Sequence, residues 1–71
     1  MANESFKMMY VFYIRIGPEE DRGELTFFVA APNASDAIRR APLVAALVDP
    51  TKVWTEAGVI ECDRQQDRCW V

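Results

Sequence analysis

The residues able to do chemistry are few, and the sharpest pair is Cys62 and Cys69, which enclose six residues. If the stretch between them is a hairpin turn, pairing the two also sets Asp63 opposite Arg68 and brings the thiols within bridging distance. So short a ring adds roughly 2–3 kcal/mol in a loop-entropy account. Three readings stay open: a structural Cys62–Cys69 disulfide, a redox switch, or two reduced thiols, the last favoured by a reducing cytoplasm. The spacing is not that of a catalytic Cys-x-x-Cys.

Nucleophilic catalysis lacks its parts. The only serines are Ser5 and Ser35, and the chain has no histidine. That removes the commonest general base, pH switch and metal ligand together. Two cysteines without imidazole or further thiolates do not complete a structural zinc site, and the calcium-loop spacing D-x-[DN]-x-[DN]-G is absent. Glu19 and Glu24 could in principle act as paired carboxylates, but so small a chain has little volume for a substrate cleft of several hundred Å3. No phosphate-cradling Gly-Lys loop occurs. The expectation is a protein that is not an enzyme, with no catalytic, cofactor-binding or metal-binding residues.

Acidic clusters remain. Glu19, Glu20 and Asp21, with Glu24 just beyond, are the densest charges, and Glu56, Glu61, Asp63 and Asp67 form a second set. Each is a solvated turn or strand end in the simplest reading. If they share one face, their field would raise the encounter rate with a cationic partner; Arg22, Arg64 and Arg68 dilute it. The eight aromatic residues serve packing first. Tyr13, Phe28 and a tryptophan on one exposed sheet face would also resemble a base-stacking platform, though without the basic companions beyond Arg15. Trp70 is either a clasp on the sheet or an interface anchor, since tryptophan is enriched among binding hot spots.

The elements that must position these residues follow from periodicity. Over residues 7–16, Met8, Tyr10, Phe12, Ile14 and Ile16 alternate with Met9, Val11, Tyr13 and Arg15, a strand pattern. Both faces are apolar except for Arg15, which predicts a central strand or one covered on both sides. Residues 17–23 carry two glycines and a proline among charges and read as a turn. Residues 24–30 alternate again. Facing Ile16 with Leu25, Ile14 with Phe27 and Phe12 with Val29 makes the apolar faces coincide in a hairpin and brings Tyr13 near Phe28.

Asn33 is the expected N-cap of a helix, with Asp36 as the shorter acid of a capping box. Ala34, Ala37, Ile38 and Ala41 recur at helical spacing. Pro42, which lacks an N–H, is expected to interrupt it; residues 43–48 then restart as a short second helix or continue with a kink. Residues 53–57 and 59–62 read as strands, or as one strand deformed at Gly58. Residues 63–68 form a polar turn and 69–71 a short edge strand. The fold class is α+β: a small antiparallel sheet of three to four strands in β-β-α-(α)-β-β order, with helix packed on one face.

All 71 residues are expected to form one domain, with 1–6 as a flexible tail. At 51% apolar and net −3 the chain is too hydrophobic for disorder, yet near the size where one core gives only ~3–5 kcal/mol and a staple, dimer or partner helps. The longest apolar runs, 8–14 and 41–48, fall short of the ~18–20 residues of a membrane span. The opening residues lack a signal-peptide pattern, so a soluble cytoplasmic location is expected. Net acidity argues against direct nucleic-acid binding, which needs clustered cations.

What remains is recognition through shape and charge. In size, acidity, single-domain build and lack of a catalytic set, the chain resembles the anti-CRISPR class of small phage-encoded inhibitors. That resemblance rests on profile, without a shared motif. It implies a stoichiometric, acidic, protein-binding inhibitor that blocks a basic nucleic-acid-binding surface of a CRISPR-Cas complex. The partner-binding candidates are Glu19, Glu20, Asp21, Glu24, Glu61, Asp63, Asp67 and Trp70. The alternative is a homodimeric regulatory or antitoxin-like interaction module, using the aromatic face or an edge strand for self-association. The partner is thus another protein with a basic surface, and the chain itself a monomer or homodimer.

Overall fold

A computed structural model describes residues 8–20 and 22–65. Three strands, β1 (Tyr10–Ile16), β2 (Leu25–Ala31) and β3 (Val59–Arg64), form one antiparallel sheet in the order β2-β1-β3. An α-helix, α1 (Ala34–Val48), packs on one face and contacts all three strands. The fold is the expected small α+β domain.

The hairpin pairs as its side-chain pattern requires. Ile16 faces Leu25, Ile14 faces Phe27, Phe12 faces Val29 and Tyr13 faces Phe28. A shift of one residue would turn every apolar side chain to the wrong face, so the alternation fixes the register. β1 is the central strand, which explains its apolar richness, but among the described residues no element covers its second face. Met8 and Met9 precede the strand and are exposed. Gly23, at φ +99, supplies the left-handed residue that returns the chain into β2.

One face forms the core. Phe12, Ile14 and Ile16 of β1 and Val29 and Ala31 of β2 are buried against Ala37, Ala41 and Ala45 of α1. Those alanines recur every four residues on one helix stripe, and their small size lets the helix backbone come close to the sheet. The N-cap is Asn33, whose Oδ1 accepts from the Asp36 N–H at 2.8 Å. The Asp36 carboxylate accepts from Arg39 Nη2 at 2.5 Å.

Of the two readings at Pro42, the restart as a second helix is corrected: the chain continues as one helix from Ala34 to Val48 with Pro42 inside it. An interior proline costs about 3 kcal/mol. The flanking Ala41, Val44 and Ala45 all pack into or against the core, and that burial holds the two halves as one element.

The expected strand over residues 53–57 is also corrected. Residues 53–55 form no regular element, and Glu56–Gly58 is a 3-10 turn. Trp54, buried at 9% exposure, serves the core instead, its Nε1 donating to the Asp49 carbonyl at 2.9 Å. Asp49 organises this turn by accepting from the Thr51 N–H and Oγ1. Gly58 is not the site of a bulge. The bulge falls at Ile60, because Arg15 pairs with Glu61 while Ile16 pairs with Val59. Gly58 instead permits a close crossing of two segments. A Cβ there would collide with the Gly17 carbonyl oxygen, and the Gly17 N–H donates to the Gly58 carbonyl at 3.0 Å.

Asp63 and Arg64, assigned from sequence to a turn, belong to β3, and Gln65 extends the ladder by donating to the Val11 carbonyl at 2.8 Å. The expected tail over 1–6, the rest of the turn, the edge strand over 69–71 and the Cys62–Cys69 pairing lie outside the described residues. No described helix is long and apolar enough to cross a membrane.

Candidate functional site

The sheet face away from α1 carries most of the candidate residues. Side chains alternate across a strand, so the register that buries Phe12, Ile14 and Ile16 turns Val11, Tyr13 and Arg15 outward. Tyr13 and Phe28 are cross-strand partners whose rings meet edge to face, with centroids 5.8 Å apart. Phe28 remains 63% exposed and Val11 46%. These three residues make an apolar half of the open face.

The other half is charged. Arg15 lies at its centre, with Nη1 donating to Glu24 Oε1 at 3.0 Å and Nε to Glu61 Oε1 at 3.3 Å. Glu61 stands opposite Arg15 and Asp63 opposite Tyr13 in the β1–β3 ladder. The bonds to Glu24 and then Glu61 hold the Arg15 guanidinium above its ordinary range. The three side chains are 36–45% exposed, and ion pairs this open to solvent contribute little stability. Their consequence is electrostatic: one cation set among Glu24, Glu61 and Asp63 leaves the patch acidic. Glu24 and Glu61 bond the same guanidinium, and Asp63 stands two residues from Glu61 on β3, so a partner meets these charges as one patch.

Sequence left open whether the two acidic sets meet. They meet in part: Glu24 of the first and Glu61 and Asp63 of the second share this face. Glu19 and Glu20 are exposed on the β1–β2 connection, where the Glu19 N–H donates to the Val53 carbonyl at 2.8 Å. Glu56 is exposed on the 3-10 turn. Asp21, Asp67 and Trp70 lie outside the described residues.

Arg64 points to the helix side, its guanidinium 4.0 Å from the centroid of the Tyr10 ring, so it does not dilute the acidic patch. Arg15 does, and sequence reading missed it as the organiser. Its signal was present as the lone charge in an apolar alternation, on the parity shared with Tyr13. The aromatic platform keeps Tyr13 and Phe28 but not Trp54, which is in the core.

Cys62 faces Ile14 and packs half-buried against the core. Burial and then the charge of Asp63 push its thiol up, away from the thiolate that reacts. Among the described residues, no group of three or more His, Cys, Asp or Glu side chains is placed to hold a metal ion. α1 has an exposed apolar side as well, with Leu43 at 66% and Leu47 at 84% exposure.

Comparison with protein-family models, curated proteins and solved structures finds no match to this chain.

Proposed function

We propose that this chain is a stoichiometric protein-binding inhibitor whose open sheet face docks on a basic, nucleic-acid-binding surface of another protein, of the kind a CRISPR-Cas complex presents. One observation carries the reading: the Tyr13–Phe28 pair, whose Phe28 is exposed, adjoins Glu24, Glu61 and Asp63 on a single face. The aromatics offer the buried anchor that interface energetics favour. The acids offer a field complementary to lysine and arginine, which speeds encounter and selects the partner. Glu19 and Glu20, exposed on the β1–β2 connection, would add their charge at the same end of the sheet. The reading requires neither catalysis nor a cofactor.

The test uses a purified CRISPR-Cas effector complex and its guide-matched DNA. Wild-type chain should displace DNA at a saturating one-to-one ratio, with an affinity that falls as salt rises. A Glu24→Gln/Glu61→Gln/Asp63→Asn variant should lose that competition, and Phe28→Ser should weaken it. Equal competition by the triple variant at low salt would sink the acidic-face reading. The runner-up, a homodimeric regulatory or antitoxin-like module, is favoured by a different feature, the uncharged edge strand β2.

A further inference from the structure

The two edges of the sheet differ in kind. β3 carries Glu61, Asp63 and Arg64 and is interrupted by the bulge at Ile60. Charges and bulges are the usual devices that keep an edge from pairing. β2 reads Leu-Thr-Phe-Phe-Val-Ala-Ala, with no charge, no proline and no bulge over seven residues. Among the described residues no strand lies on its outer side.

The hydrogen-bond pattern fixes which backbone groups that edge offers. The Val11 carbonyl accepts from Gln65 on the β3 side, so the backbone of Val11, and of every second residue after it, turns toward β3. Residues paired with these on β2 therefore aim their N–H and C=O away from β1. They are Ala30, Phe28 and Thr26. The Ala30 carbonyl confirms the direction, since it accepts from Arg40 Nη1 at 2.6 Å. All three residues are exposed.

We infer that β2 pairs with β2 of a second copy of this chain, antiparallel about Phe28, to join two three-stranded sheets into one of six. Phe28 is the middle residue of Leu25–Ala31, so a two-fold axis there superposes the whole strand on its partner. Phe28 exchanges both backbone bonds with its own counterpart, and Thr26 faces Ala30 on either side. The second lone pair of the Ala30 oxygen serves the partner's Thr26 N–H while Arg40 keeps the first. The symmetry of Thr26, Phe28 and Ala30 about one residue selects a second copy as occupant, and charge selects the edge: β2 opposes no like charges when paired with itself, whereas β3 paired with itself would bring its Glu61 and Asp63 carboxylates close to those of its copy. The contact is isologous, so it closes at two subunits. This inference does not rest on the inhibitor reading, because the joined sheet keeps both open faces free.

Sedimentation equilibrium of the full chain over a wide concentration range, to about 1 mM, tests it without any target. The expected result is a reversible dimer. Phe28→Lys sets two like charges directly opposite and should weaken the dimer by about tenfold or more; Phe28→Glu should do the same. An equimolar mixture of the two should restore a heterodimer, because only self-pairing at position 28 makes them complementary. Circular dichroism checks that each variant is folded. If either is not, Thr26→Pro removes one outward N–H from an edge position that tolerates proline and should weaken the dimer likewise. A monomer throughout the range would overturn the inference, as would a dimer indifferent to these changes. So would a chain that pairs its β2 edge only with an extended segment of a target.

Discussion

Alternate residues of the same strand build the two faces of this sheet, and they meet opposite fates. Phe12, Ile14 and Ile16 are at most 3% exposed, while Val11, the residue before Phe12, is 46% exposed and Phe28 across the ladder is 63% exposed. Both sets are apolar. What separates them is the helix: its alanine stripe covers one face, and the described residues provide nothing to cover the other. Apolar composition therefore marks stability on one side and accessibility on the other, and a strand rich in both reads from sequence as if covered twice.

Substitutions sharpen the contrast. Ile14→Ala should cost the most, about 2–5 kcal/mol, because a fully buried branched side chain leaves a cavity between sheet and helix; a urea midpoint shift at constant slope measures it. Ala41→Leu should cost about 1–3 kcal/mol by forcing the close helix off the sheet, again read in denaturant. Phe28→Ser, on the open face, should cost only about 0.5–1 kcal/mol, the scale of one cross-strand aromatic contact. A loss as large as that of Ile14→Ala would mean the open face is covered in the folded protein, and the contrast between faces would collapse.

The smallest effect concerns the turn that carries Trp54 into the covered face. The Thr51 hydroxyl, then its N–H, holds the Asp49 carboxyl below the usual carboxylate range. A carboxyl depressed in the folded state stabilises above its unfolded value of about 3.9. That contribution disappears as pH falls through the lower folded value. Asp49→Asn should thus flatten the acid limb of a Tm-against-pH curve between those two values. An unchanged limb would show that the turn does not depend on the charge.

Legibility followed the range of the interactions involved. The hairpin register was readable down to the Tyr13–Phe28 contact because two adjacent alternating segments admit one pairing that keeps apolar faces together. Asn33 was readable as a cap because its partner is three residues away. Pro42 misled, since its local cost is visible in sequence and the sheet that offsets it is not. The 53–57 stretch misled for a related reason: Val53 and Trp54 have strand-like chemistry, but Trp54 is held by the Asp49 carbonyl, and the chain passes Gly17 at a distance only Gly58 permits. The acidic patch was half legible. Its residues stood out, but their gathering around Arg15 depends on pairing β1 with a strand whose Glu61 lies 46 residues from Arg15.

The strand order β2-β1-β3 also sets an assembly sequence. β2 reaches β1 through a short connection, so that pairing can form early, at low loop-closure cost. β3 arrives on the opposite flank only after the chain has crossed over β1 by way of α1. Until then β1 has an unpaired side, and the nascent hairpin has apolar residues on both surfaces. Synthesis delivers the shielding helix before the last strand, which shortens the interval in which this small protein is prone to aggregate.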